Sequence, residues 1–297
     1  MANPICLSPL KFYDNYKKQE RYKSYAYGHV SPVVMPFKVI YPFQFVVPYT
    51  PASGYDGIAQ VLLRNTNGNL IAEIAPSLKE FGLEYKNVNG HYVIFYPGFF
   101  PIQAITEKGQ YYLEIKLNVS LDDGQVGNVS YYSEIFCFTD NLNDFVEIEY
   151  WNHGSNIGVK GGIITFADGF HFKILIDSEL GKPEYSFEEE STSRLGYNFI
   201  ESQVSKKIYK FNSVLPEYIC DALRLIRLCS DKKLTTKGET YEMLSFDMDV
   251  DWQEQGDLAS VTCEFEVDNV IVNAGGFKDL SQGDFNTDFN NDYDVEN

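Results

Sequence analysis

Residues 213–230 read SVLPEYICDALRLIRLCS and contain the strongest helical pattern in the chain. Pro216 suits a first helical turn, because its missing N–H would have no partner there. Four apolar residues follow the i, i+3, i+4, i+7 spacing of a buried helix face: Ile219, Ala222, Leu223 and Ile226. Four more widen that face: Tyr218, Leu225, Leu228 and Cys229. The pattern predicts a helix over residues 216–229 that is buried against a sheet.

Strand patterns surround this helix on both sides. Residues 206–211, 240–250 and 259–272 alternate apolar and polar side chains, as half-buried strands do. The polar cluster 253–257 separates the last two and predicts a hairpin. Three further candidate strands are 144–150, 162–166 and 170–176. The second half is therefore predicted to be α+β, with one buried helix.

The first half consists of short strand patterns separated by Asn-Gly and Asp-Gly turns. The strand candidates are 58–64, 70–75, 83–86, 92–96, 111–119 and 131–139. About seven strands in about 110 residues is typical of a small antiparallel sandwich. The sequence predicts a β-sandwich of the immunoglobulin or fibronectin-III kind over residues 32–143. Prolines at 36, 42 and 48 predict that residues 33–47 run as an edge strand broken by bends.

The chain ends differ from the rest in composition. We predict an extended N-terminal arm over 1–31, the sandwich over 32–143, an α+β domain over 144–273 and an acidic Asn/Asp-rich tail over 274–297. The arm is rich in Tyr and Lys with little hydrophobic periodicity, so we expect that a chain without residues 2–30 still folds. The same composition is also typical of two solvated, disordered termini.

Aromatic and basic residues of the termini are the candidate interface. Aromatic rings give large contact areas for little entropy loss, so we expect them to order against a neighbouring subunit. The candidates are Phe12, Tyr13, Tyr16, Lys17, Lys18, Arg21, Tyr22, Tyr25 and Tyr27 in the arm, and Phe285, Phe289 and Tyr293 in the tail.

Charge and composition exclude several classes of partner. The net charge of −18 argues against nucleic acid as the main partner, because phosphate binding needs a basic surface. The first thirty residues hold no apolar signal-peptide core, and no run of 18 apolar residues occurs, so we expect neither a cleaved signal nor a membrane anchor. Five cysteines without a CxxC pair indicate free thiols and synthesis in a reducing compartment such as a cytoplasm.

Motifs that carry chemistry are weak. Residues 288–294 imitate the start of a calcium loop, but Tyr293 stands where glycine is required. The four histidines are scattered without ligand spacing, and the glycines of 158–162 precede a strand rather than a helix. Glu147 and Glu149 alternate on one strand face, where a solvated surface is a commoner explanation than an acid/base pair. We expect no enzyme activity, no cofactor and no metal.

Several long stretches resemble a known group of proteins. They are FADGFHFKILIDSELGKPEYSFEEE from residue 166, EYICDALRLIRLCS, DVDWQEQGDLASVTCEFE, and in the first half SYAYG, GQYYLEI and YYSEIFCF. Together they are similar to virion proteins of phages and prophages of Bacteroidota, including crAss-like phages. The resemblance implies a component of a ring in the short tail or neck, whose partners would be copies of itself and other tail or neck proteins. The expected location is then the virion.

Two classes of function follow from the sequence. One is a structural subunit of a bacteriophage virion that assembles through β-domain faces and terminal arms. The other is a carbohydrate-binding or adhesion module, since β-sandwiches with exposed aromatic residues bind glycans. The scarcity of tryptophan, with 2 Trp against 22 Tyr and 22 Phe, weakens the second class. A cell-wall hydrolase would need an acid/base pair that the sequence does not supply.

Overall fold

The computed structural model describes residues 3–19, 33–48, 55–75, 85–88, 91–96, 98, 102–120, 126–153, 157–159, 162–164, 169–194, 197–252 and 258–273. Strands of the first half are β1 (Asn3–Ile5), β2 (Phe12–Tyr13), β3 (Val33–Pro36), β4 (Phe43–Pro48), β5 (Tyr55–Asn65), β6 (Leu70–Ala75), β7 (Tyr85–Val88), β8 (His91–Tyr96), β9 (Gln110–Ser120), β10 (Val126–Ser133) and β11 (Phe136–Thr139). Those of the second half are β12 (Phe145–Trp151), β13 (Ile157–Val159), β14 (Gly162–Ile164), β15 (Phe172–Asp177), β16 (Glu184–Arg194), β17 (Tyr197–Pro216), β18 (Asp231–Thr236), β19 (Glu239–Glu242), β20 (Ser245–Trp252) and β21 (Leu258–Asn273), with helix α1 (Glu217–Ile226) after β17. The predicted fold class, mainly β with one buried helix in the second half, is confirmed.

The largest sheet joins strands from both halves of the chain. Its order is β19-β18-β12-β15-β3-β11-β9-β10-β2, and β5 and β6 extend it from β9. Strand β3 is parallel to β11 on one side and meets β15 on the other, where Val34 lies opposite Leu175. Strand pairing therefore continues across residue 144, where the domain boundary is predicted. The division into a sandwich and an α+β domain stays a prediction.

The predicted edge strand over 33–47 is wrong in its first part. Strand β3 has partners on both sides, and its core residues Val33 and Met35 are buried. Pro36 is the last residue of β3, so no proline interrupts the ladder. The second part, β4, is an edge as predicted, because among the described strands it pairs only with β8 in the sheet β4-β8-β7.

The small sheet β4-β8-β7 packs face to face with the large one. Phe43 and Phe45 of β4 are buried, and the Phe45 ring centroid lies 6.1 Å from that of Tyr131 on β10. Antiparallel pairing of β5 with β6 and of β9 with β10 follows the predicted hairpins. Two β layers around a shared apolar core are what the alternating patterns of the first half predict.

The N-terminal segment differs from the predicted arm over residues 3–19. Strand β1 pairs in parallel with β14, and β2 pairs with β10. Leu7 and Leu10 are 0% and 1% exposed, so both lie in the core. The Leu7 N–H donates to the Gln44 side chain, and its carbonyl accepts from the Tyr150 hydroxyl at 2.7 Å. Leu7 and Leu10 belong to no helical or strand pattern of apolar residues, so the sequence did not predict their burial. In the structure each fills a space in the core between other strands.

Helix α1 is shorter than predicted. It spans Glu217–Ile226 with Pro216 as its N-cap residue, and turns follow in which Leu228 and Cys229 donate to the carbonyls of Leu225 and Ile226. Leu228 is 45% exposed and does not belong to the buried face, whereas the rest of the predicted face is buried or half-buried. The helix packs beside the sheet β16-β17-β21-β20, whose inner face carries Phe211, Phe246 and Phe265.

Two predicted strands are each divided in the structure. The pattern over 131–139 forms the end of β10 and all of β11, separated by Glu134 and Ile135. The Glu134 carboxylate accepts from the Ile135 N–H at 3.0 Å. The pattern over 240–250 forms β19 and β20, separated by Met243 and Leu244. Strands β19 and β20 pair with different strands, β18 and β21, whereas β10 and β11 both pair with β9. Periodicity alone does not reveal these partners.

All five cysteines have free thiols, as predicted. Burial raises the pKa of the Cys220 thiol to about 11 and the pKa values of Cys229 and Cys263 to about 12. A thiol reacts as its thiolate, so these raised pKa values make the native side chains poor nucleophiles. At pH 7.5 we expect alkylation of these three residues to be at least about 100-fold slower than in the denatured chain. Mass spectrometry after timed labelling measures this, and fast labelling of Cys263 in the native protein would contradict its burial.

Candidate assembly surface

The first candidate interface residues lie on strand β2. Phe12 is half-buried, and its ring lies 4.9 Å from that of Phe43 and 5.0 Å from that of Phe45. Tyr13 is half-buried opposite Tyr132. The Phe12 ring therefore packs against this chain itself, because β2 extends the large sheet over the apolar face of β4.

The following candidates are more exposed. A single 3-10 turn holds Tyr16, Lys17 and Lys18, and Lys18 forms an ion pair of 2.6 Å with Asp14. Tyr16 is 41% exposed and touches Tyr132 edge-on. The remaining predicted interface residues lie outside the described residues: Arg21, Tyr22, Tyr25, Tyr27, Phe285, Phe289 and Tyr293.

A second exposed surface lies in the second half of the chain. We call it the extension: strand β16 together with residues 197–208 of β17 and 266–273 of β21. Aromatic and β-branched residues interspersed with polar ones build these long strands, and β16 and β21 pair with β17 from opposite sides. The remainder of β17 and β21 lies against the helix, where Tyr209, Phe211 and Phe265 are buried.

One face of the extension is continuous with the core-facing side of the same sheet, but here that face is exposed to solvent. Phe187 on β16 lies opposite Ser205 on β17, which lies opposite Val270 on β21, so the three share one face. Tyr185 is on the same side of β16, two residues away. Phe187 is 74% exposed, Tyr185 63% and Val270 59%. A row of large apolar side chains left this open is typical of a contact surface.

The other face of the extension carries paired charges. Lys206 lies 2.6 Å from Glu188. Just beyond the extension, Lys210 lies 2.7 Å from Glu184 of β16 and 3.3 Å from Glu264. Exposed pairs of this kind contribute little stability. They hold charged side chains on a face that also carries Val204 and Ile271.

Glu147 and Glu149 form an ion network instead of a free acid/base pair. Lys173 lies 3.0 Å from Glu147 and 3.4 Å from Glu149, and His171 Nδ1 lies 2.6 Å from the Glu149 carboxylate. Burial raises the pKa of Glu149, but the hydrogen bond from His171 and the charge of Lys173 outweigh burial and lower it overall. The buried Tyr41 hydroxyl donates to Glu147. Glu149 is thus held ionised by partners of the same chain, and Glu147 is engaged by Lys173 and Tyr41.

Removing the cation at the centre of this network should destabilise the fold. For Lys173→Met we expect a loss of about 1–3 kcal/mol in the free energy of unfolding, because two half-buried carboxylates then lack their counter-charge. Lys108 is the matched control, since its pair with Asp140 is exposed. Lys108→Met should cost far less, because that ion pair is exposed to solvent. Urea unfolding at pH 7 compares the two variants, and equal losses would contradict the network.

The same experiment has a defined pH dependence. The pKa of Glu149 is lower in the folded protein than its ordinary value. Its contribution to stability is therefore present above the ordinary pKa and is lost as the pH falls through the lowered, folded-state pKa. The difference between the Lys173→Met variant and the unaltered protein should shrink over that acid range, because protonated carboxylates need no counter-charge.

A groove of 470 Å³ lies where β3 and β15 approach β17 and the start of the helix. Its lining is aliphatic except for Asp177, Asn212 and Ser213, and the Ser213 hydroxyl donates to the Asp177 carbonyl at 3.0 Å. One carboxylate does not provide an acid and a base. Across the described residues, no three His, Cys, Asp or Glu side chains converge as metal ligands, and no helix there is long and apolar enough to cross a membrane.

The sequence did not predict the exposed row on the extension. Tyr185 and Phe187 alternate with Glu184 and Glu188, which is the pattern of a strand with one buried face. Nothing in that pattern tells whether the apolar side meets a core of the same chain. The one available signal is length, because strands of 16 and 20 residues, β21 and β17, extend well beyond a 10-residue helix.

Comparisons with known proteins assign no family. No protein-family model matches the chain, and no curated protein sequence matches it. A solved structure of Dpr2 Ig1-Ig2 in complex with DIP-Theta Ig1-Ig3 aligns with 81% of this chain and 89% of that chain, at 10% identity and a TM-score of 0.15. A likeness with that TM-score carries no argument about fold or function. The functional inference for this protein therefore rests on its own surfaces.

Proposed function

We propose that this protein is a structural subunit of a bacteriophage virion, repeated around a ring in the short tail or neck. It acts without catalysis, and it associates with copies of itself and with other tail or neck proteins through sheet surfaces and terminal segments. The observation that carries the proposal is the exposed row Tyr185, Phe187 and Val270 on the extension. The similarity of long stretches to virion proteins of Bacteroidota phages supports the proposed place in a phage virion.

The physical argument for a contact surface is the cost of exposed apolar area. Phe187 and Tyr185 stand on a strand edge of a sheet whose other end is buried, so the same face passes from core to solvent. Covering such side chains contributes about 25 cal/mol for each Å² removed from water. A neighbouring subunit would bury these side chains, and repetition of the contact around a closed ring would bury the exposed row of every copy.

The end of the N-terminal segment supports a second contact. Lys17 and Lys18 are exposed on a 3-10 turn, while β16 of the extension carries the exposed Glu189 and Glu190, which accept hydrogen bonds from Gln203 and Ser202. Opposite charges on separate surfaces of one subunit favour head-to-tail contacts between copies and guide their registry. The chain as a whole is acidic, so these lysines are a local exception.

Phage genetics tests the proposal. In a phage that encodes this chain, we expect the protein in purified particles and a loss of at least about tenfold in infectious particles for Phe187→Asp. The side chain is 74% exposed, so the variant should fold normally by circular dichroism. Leu70→Asp is the matched control, because Leu70 is 55% exposed on β6, away from the extension. That control should assemble like the unaltered protein.

Two outcomes would overturn the proposal. Absence of the protein from purified particles would remove the structural role. Specific binding to a glycan array, lost in the Phe187→Asp variant while particles assemble normally, would instead support the carbohydrate-binding class.

A further inference from the structure

The extension has two edges, and neither has a strand beside it within the described residues. Strand β16 is the outer strand of the order β16-β17-β21-β20. On the other side, β20 pairs with β21 only as far as Ser245 opposite Glu266. Residues 268–273 of β21 therefore pair with β17 alone among the described strands, and Val267 is the extra residue of a β-bulge. Their outward backbone groups are a template for another strand.

The two edges differ in charge. Strand β16 reads EYSFEEESTSR and carries four glutamates within residues 184–190, a common protection against unwanted pairing. The segment 267–273 reads VDNVIVN, with one acid and no Lys, Pro or Gly. Val270 and Ile271 lie on opposite faces of β21, and each is 59% exposed. An open strand edge of high β-propensity and low charge is suited to pairing.

We propose that residues 267–273 pair antiparallel with the same segment of a second copy of this chain, around a two-fold axis at Val270. In this register Val270 lies opposite Val270, Asn269 opposite Ile271, and Asp268 opposite Val272, so no acid meets an acid. The same arrangement of β16 about Phe187 would place Glu184 opposite Glu190, which is repulsive. The two extensions become one continuous sheet, and the contact is closed after two copies.

A charge exchange at the axis tests this register in the full chain. We expect sedimentation velocity to show a dimer for the unaltered protein, and Val270→Lys and Val270→Glu each to raise the dimer dissociation constant at least about tenfold. An equimolar mixture of the two variants should restore the dimer, because Lys then lies opposite Glu. Leu70→Lys is the control on β6, of similar exposure, and should dimerise normally.

A disulfide provides a second measurement that does not depend on charged variants. Side chains directly opposite each other in an antiparallel pair have Cβ atoms about 4.5–5.5 Å apart, close to disulfide geometry. Val270→Cys should therefore give a covalent dimer under mild oxidation. The native cysteines are buried or half-buried, so the unaltered protein is the matched control.

Several results would overturn the inference. A full chain that stays monomeric throughout a concentration series excludes the contact. Tighter association of Val270→Lys would indicate pairing with the acidic β16 edge instead. A chain ending at Asn273 that dimerises, when the full chain does not, would mean that residues 274–297 cover the edge. A dimer in solution that never enters virions would leave this inference intact and remove the proposed function.

Discussion

A chain that lacks residues 2–19 should show no cooperative unfolding transition. The deletion removes Leu7 and Leu10, which are 0% and 1% exposed, together with strands β1 and β2. Emptying the site of one buried leucine costs about 2–5 kcal/mol. Two such sites amount to a large part of the 5–15 kcal/mol that stabilises a typical domain.

Hydrogen bonds lost with the segment add to this cost. The buried hydroxyl of Tyr150 donates to the Leu7 carbonyl, and the Gln44 side chain accepts from the Leu7 N–H. Without the segment the Tyr150 hydroxyl is left buried without its acceptor, at about 1–3 kcal/mol, and the Gln44 side chain loses one of its contacts. Differential scanning calorimetry of the truncated chain measures the effect.

Two single-residue variants within the segment test this prediction further. Leu10→Ala keeps the segment and should lower the free energy of unfolding by about 2–5 kcal/mol. Tyr16→Ala, at a residue 41% exposed in the same segment, should cost far less. A truncated chain that melts at the temperature of the full chain would show that the segment lies on the fold without supporting it. That result would return residues 3–19 to the role of a free arm.

Truncation of the central helix face should give the largest single-residue effect. Leu223 is fully buried, on the face that α1 turns toward the sheet of β17, β20 and β21. We expect Leu223→Ala to lower the free energy of unfolding by about 2–5 kcal/mol, because the surrounding strands cannot close the cavity. Ile226, also 0% exposed, should behave similarly.

Arg224 is the matched control for this prediction. It is the next residue of the same helix, its side chain is 64% exposed, and it pairs only with Asp221 one turn earlier. Arg224→Ala should cost about 0.5 kcal/mol or less, which is the range of exposed ion pairs within a helix. Equal urea midpoints for Leu223→Ala and Arg224→Ala would contradict the assignment of the buried face.

Local patterns of the sequence determined the fold class. Alternation predicted strands such as β9, β12 and β21, and the i, i+3, i+4, i+7 spacing predicted the helix and its buried residues Ile219 and Leu223. These patterns succeed because a strand or helix with one apolar face must bury that face. Turn residues also located the hairpin of β5 and β6, where Gly68 has a positive φ.

The tertiary structure decided which strands meet and which apolar faces are covered. Pairing of β3 with β15, and of β1 with β14, joins residues more than 100 positions apart, and no local periodicity encodes such contacts. The same holds for exposure: Leu10 in a polar segment is buried, while Phe187 in a regular strand pattern is 74% exposed. The hydrophobicity of a side chain sets how much free energy its burial would contribute. Whether the side chain is buried depends on which distant strands pack against it.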